Sequence, residues 1–106
     1  MSNADIEFIG QLETIVQDRL SNPSEESYTV KLASAGTKRI AQKVGEEGLE
    51  LALAATGGDL EEIIDEAADL VFHMIVLLAD QGLSLADVAM RLESRHAGRG
   101  SISPIK

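Results

Sequence analysis

An all-α helical bundle is the fold class that the sequence predicts, on three observations. Apolar residues recur at steps of three and four, no stretch alternates at the two-residue period of a strand, and short polar or glycine-bearing turns separate five such blocks. With 106 residues the chain suits one domain with a modest core.

The elements follow in order. Ile6, Ile9, Leu12, Val16 and Leu20 share a helical face, predicting a first helix over about Asp5 to Leu20. Ser21 to Ser27 is a polar turn in which Pro23 blocks continuation. Tyr28 to Ala35 reads as a short helix with Ser27 as N-cap and Gly36 as its stop. Thr37 is expected to cap a long helix ending near Ala55, before Thr56-Gly57-Gly58. Asp59, with Glu62 three residues on, opens the next helix, which runs to about Asp80 and stops at Gly82. Ser84 and Asp87 open a last helix to roughly Arg95. The expected division is a helical domain over 1–96 and a tail over 97–106 without periodicity.

Composition removes several function classes. A formal charge of −9 leaves no basic footprint for general nucleic-acid binding. Phe8, Tyr28 and Phe72 are too few aromatics for a base-stacking platform. The absence of cysteine excludes disulfides, thiolate metal sites and cysteine nucleophiles, and fits a reducing compartment. The opening residues carry no secretory pattern, and the longest apolar run, Leu70 to Ala79, is about half a membrane span. A cytoplasmic protein acting on a small molecule, without nucleic acid or membrane, is the expectation.

Two helices carry acids where solvent alone does not explain them. Arg39, Lys43, Glu47, Glu50 and Ala54 fall within roughly 80° of one another on the third helix, with Glu46 beside them. Ile40, Val44 and Leu51 flank this strip on one side, Leu49 and Leu53 on the other, so both borders are expected to be buried. Ala41, Gly45, Gly48 and Ala52 make a small-residue face suited to close packing. On the fourth helix Glu62, Glu66, Asp69 and His73 share a face, although Glu62 is adequately explained as a partner of Asp59 and Asp80 as a solvated terminal acid. The surrounding residues, Ile63 and Leu70 to Leu78, are so apolar that Asp69 and His73 are expected in a water-excluding segment. For His73 a hydrogen-bonded core position and a place at the site are equally weighted.

Glu47 with Glu50, and Glu66 with Asp69, are pairs at i, i+3 that can project into one gap between antiparallel helices. Carboxylate-only ligation selects Mg²⁺ or Mn²⁺ over zinc or copper. Such an ion suits hydrolysis of a phosphoanhydride. Lys38, Arg39 and Lys43 lead into the acids and suit phosphate tails, and Arg91, Arg95 and Arg99 could add to them. Spacing alone leaves cleavage and mere binding both open.

Ser27-Tyr28-Thr29, Lys43-Val44-Gly45-Glu46-Glu47-Gly48-Leu49-Glu50 and Glu66-Ala67-Ala68-Asp69-Leu70-Val71-Phe72-His73 together resemble the phosphoribosyl-ATP pyrophosphohydrolase family, over roughly Phe8 to Arg95. The acidic core is shared with the wider all-α nucleotide pyrophosphatase superfamily, including MazG-like enzymes. The resemblance implies Mg²⁺-dependent hydrolysis of phosphoribosyl-ATP to phosphoribosyl-AMP and pyrophosphate, the second step of histidine biosynthesis. It also implies a homodimer with a four-helix core near the acidic helices. By position, Glu47, Glu50, Glu66 and Asp69 become metal ligands. Glu46 becomes a group that ligates metal or orients water, acting with Glu47 and Lys43. Lys43 and His73 become nearby polar contacts, and with Arg39 and Arg95, placed by their position on the helices, they are the expected substrate-binding residues. The tail matches no reliable pattern, and the next enzyme of the pathway is expected on another chain or absent. The alternatives are a house-cleaning NTP pyrophosphatase and a non-catalytic metal-binding dimerisation bundle.

Overall fold

The computed structural model describes residues 3–23 and 27–99. Five helices follow in order: α1 (Asn3–Ser21), α2 (Tyr28–Ser34), α3 (Thr37–Gly57), α4 (Leu60–Asp80) and α5 (Leu85–Arg99), with no strand among the described residues. The fold class is the all-α one that the periodicity predicts.

Local chemistry sets the boundaries. The Ser27 hydroxyl accepts from the Val30 amide at 3.3 Å and starts α2. Gly36 then takes φ 96°, a conformation that costs other residues a Cβ clash, and turns the chain into α3. Thr37 does not cap α3, as its type suggests: Gly36 holds the cap position, and the Thr37 hydroxyl donates instead to Asp80 Oδ2 at 2.6 Å. Asp80 is therefore not a solvated ornament but a tie between the start of α3 and the end of α4, with Gln81 Nε2 donating to the same oxygen at 2.9 Å. Asp59 Oδ1 accepts from the amides of Glu61 and Glu62 at 3.0 and 3.3 Å, which opens α4.

At the end of α4 the Leu83 amide returns to the Leu78 carbonyl at 2.8 Å across Gly82, whose φ is 73°. Ser84 and Asp87 form reciprocal bonds at the start of α5: the Asp87 amide donates to Ser84 Oγ at 3.3 Å and the Ser84 amide to Asp87 Oδ2 at 2.9 Å. Glu13 of α1 adds a further acceptor, taking the Leu85 amide at 2.6 Å. Two ends differ from expectation. Helix α3 reaches Gly57, and α5 reaches Arg99, so the expected domain boundary at 96 falls inside a helix. His96 and Ala97 are exposed and offer no apolar stripe, which is why hydrophobic periodicity missed this extension. The rest of the expected tail, residues 100–106, lies outside the described residues.

The α3–α4 hairpin is the principal packing pair, and α1 and α2 cover one side of it. The core is Val16, Leu32, Ile40, Ile75 and Val76, ringed by Ile9, Leu12, Leu20, Val71, Phe72, Leu77, Ala79 and Leu85. Helix α5 reaches that core only through Leu85 among the described residues. Among the described residues, several apolar side chains of the hairpin stay uncovered. Leu49 and Leu53 on α3 are 60% and 58% exposed, and Leu60 and Ile64 on α4 are also exposed. The second apolar border of the acidic strip is thus not covered by the described residues. Nor does the small-residue face pack closely, since a Cβ at Gly45 or Gly48 would meet nothing within 4 Å.

Candidate metal and phosphate site

Six residues line one open cleft of about 350 Å³: Lys43, Glu46, Glu47 and Glu50 from α3, Glu66 and Asp69 from α4. The two-residue link between α3 and α4 makes them antiparallel neighbours, and the i, i+3 spacing turns each acidic pair toward the same gap. Carboxylate oxygens of Glu47, Glu66 and Asp69 lie within 4.8 Å of one another. Glu50 borders the cleft without joining that tightest group.

The electrostatics follow from crowding. Desolvation raises the Glu66 carboxyl above its usual 4.5, and the charges of Glu50, Asp69, Glu47 and Glu62 add to the rise. Lys43 is the cleft's one basic lining residue, with Nζ 3.3 Å from Glu47 and 3.7 Å from Glu46. Its bond to Glu47 raises its pKa, burial opposes this, and Tyr28, Glu47 and Glu46 reinforce it. Gln42 Nε2 donates to Glu46 Oε2 at 2.9 Å, so this exposed acid is held as well. Gln42 precedes Glu46 by one helical turn, a spacing that could have flagged it.

The donor set fits a hard divalent cation: oxygen only, grouped within one ion's reach, and mutually repulsive without a positive partner. The gap is wetter than its apolar neighbours suggest. Asp69 is exposed and Glu66 half-buried, because the open side of the hairpin leaves the cleft mouth to solvent.

Three expected substrate contacts stand apart from this cleft. Arg39 is exposed in the first turns of α3 and does not line it. Arg95 borders a different, apolar groove with Leu78, Leu83, Val88 and Leu92. His73 is buried, and both ring nitrogens are taken: Nδ1 meets the Asp69 carbonyl at 2.7 Å, and Nε2 meets the Tyr28 hydroxyl at 3.0 Å. A ring so engaged has no free nitrogen for a ligand. Tyr28 itself was not singled out as a site residue, because its tie to α4 depends on where α2 packs.

Residues 9–96 match the family described as phosphoribosyl-ATP pyrophosphohydrolase. The chain belongs to that family. The phosphoribosyl-ATP pyrophosphohydrolase match takes in α2, α3 and α4 whole, and with them every lining residue of the cleft. Histidine biosynthesis bifunctional protein HisIE of Photobacterium profundum is 57% identical over 89 residues, which is 84% of this chain and 43% of the relative. The HisIE protein of Campylobacter jejuni is 56% identical over 94 residues, 89% of this chain and 45% of its own length. That of Escherichia coli K12 is 56% identical over 89 residues, 84% and 44% respectively. The chain therefore spans less than half the length of these relatives.

Proposed function

We propose that this chain hydrolyses phosphoribosyl-ATP to phosphoribosyl-AMP and pyrophosphate in histidine biosynthesis, as a Mg²⁺-dependent cytoplasmic homodimer. The observation that carries the reading is the cleft itself: five carboxylates and one lysine, drawn from the two helices at the centre of the family match. Glu47, Glu66 and Asp69 are the residues to hold the ion, with Glu50 completing the set from α3. A bound Mg²⁺ supplies Lewis acidity toward a phosphoanhydride and lowers the pKa of water.

The chain's own groups divide the remaining work. Lys43, paired with Glu47 in the cleft, would donate to phosphate oxygens of a bound substrate. Glu46 lies on the solvent side of the cleft, where a carboxylate can orient a water. In a chain of charge −9, a polyanionic substrate needs the metal and Lys43 as its anchors. Arg39, His73 and Arg95 are not carried forward as contacts made by the same chain. A second copy seated on Leu49, Leu53, Leu60 and Ile64 would cover these exposed side chains and narrow the cleft mouth. No described helix is long and apolar enough to cross a membrane.

Initial rates of pyrophosphate release from phosphoribosyl-ATP and a panel of canonical and damaged NTPs test the substrate. Phosphoribosyl-ATP is expected to turn over fastest. Faster cleavage of any NTP overturns this assignment in favour of a house-cleaning role. Rescue of a histidine auxotroph lacking this step is the corresponding test in the cell.

A further inference from the structure

Two residues that the proposed chemistry leaves unused, Tyr28 and His73, are joined by hydrogen bonds to the backbone of Asp69. His73 sits one turn after Asp69 on α4 and is 6% exposed. Its Nδ1 lies 2.7 Å from the Asp69 carbonyl. A carbonyl only accepts, so Nδ1 carries the proton, and in the neutral ring Nε2 is left with a lone pair. The Tyr28 hydroxyl, 3.0 Å from Nε2, must then donate. Direction is thus fixed along the whole relay, from Tyr28 through the imidazole to the backbone of a proposed metal ligand.

Packing holds both rings in place. Tyr28 and Phe72 lie 6.1 Å apart between centroids, and His73 meets each ring edge-on at 5.9 and 5.2 Å. The Ser27 cap fixes the backbone on which Tyr28 rides. The Asp69 carbonyl, already engaged in the α4 ladder, gains a second donor from the same direction. That turn carries Glu66 and Asp69, whose oxygens lie within 4.8 Å of each other and of Glu47, and whose like charges push the cluster apart.

We infer that Tyr28 and His73 are positioning residues that clamp the Glu66–Asp69 turn of α4 against this repulsion and so hold the carboxylates ready for a divalent cation. The inference rests on the proposed metal site. Tyr28→Phe keeps the ring contact and removes only the donor. His73→Asn keeps an amide near Nδ1 and loses the acceptor for Tyr28, whereas His73→Gln retains an acceptor near Nε2.

Mn²⁺ binding followed by electron paramagnetic resonance is the test, with melting temperature measured alongside. In Tyr28→Phe the Mn²⁺ Kd is expected to rise roughly tenfold, the loss usual for an outer partner of a metal ligand, without a change in melting temperature. His73→Gln is expected to bind more tightly than His73→Asn, and Tyr28→Phe to add nothing to His73→Asn. Long-range proton–nitrogen NMR should find the His73 proton on Nδ1; His96 is the chain's other histidine. Wild-type affinity in Tyr28→Phe, a loss that tracks a lowered melting temperature, or a proton on Nε2 overturns the inference. Failure of the wild-type chain to bind Mn²⁺ overturns the metal site as well, which separates the two outcomes.

Discussion

Glu66 is the residue at which the cost of assembling the cleft is most direct. Removal from water and the neighbouring acids favour its protonated form, so its pKa in the folded chain lies above the usual 4.5. For a carboxyl shifted upward, the folded state binds more protons than the unfolded state between the two values, and stability falls as pH rises through that interval. Glu66→Gln is therefore expected to raise the melting temperature of the metal-free protein at neutral pH, with the gain vanishing below pH 4.5. Melting curves in EDTA across pH check this, and an equal gain at all pH values would contradict it. Millimolar Mg²⁺ should narrow the difference, because binding to the intact cluster stabilises the wild-type fold. The pairing of Glu47 with Glu50 and Glu66 with Asp69 was legible from the sequence because i, i+3 geometry belongs to any helix. The engagement of His73 by Tyr28 was not, since it joins residues 45 apart and depends on how α2 docks.

Among the elements, α5 is the one held least by packing and most by its first turn. Ser84, Asp87 and Glu13 satisfy amides there, while Val88, Met90 and Leu92 remain exposed. Ser84→Ala is expected to cost about 0.5–2 kcal/mol of local stability, the usual range for loss of an N-cap. Hydrogen exchange should show faster amides throughout α5, with α3 and α4 unchanged; equal acceleration across all helices would contradict a locally secured α5. The sequence disclosed this helix through its Ser84-x-x-Asp87 opening, but not its end, because Ser94 to Ala97 form helix while exposed. Thr37 teaches the converse lesson. Its residue type fits a cap, yet Gly36 fills that position and the Thr37 hydroxyl binds α4.

At the scale of the molecule, the hairpin packs on α1 and α2 and, among the described residues, leaves several apolar side chains exposed. Sequence periodicity marked Leu49 and Leu53 as apolar borders of the acidic strip, but could not say that the other described residues leave them exposed. The proposed homodimer would cover the exposed leucines and narrow the cleft mouth. Leu53→Asp, at a position 58% exposed in the single chain, is expected to leave helicity intact and to shift sedimentation from dimer to monomer. A persisting dimer would place the interface elsewhere, and a monomeric wild-type chain would remove it. The measurement that bears most directly on the account is pyrophosphate release from phosphoribosyl-ATP, with and without Mg²⁺, by the wild-type chain and by Asp69→Asn. Mg²⁺-dependent turnover by the wild type is expected, with Asp69→Asn slower by at least the roughly 10–100-fold that loss of an outer metal partner costs and its helicity retained. Turnover that ignores Mg²⁺, or survives undiminished in Asp69→Asn, would contradict it.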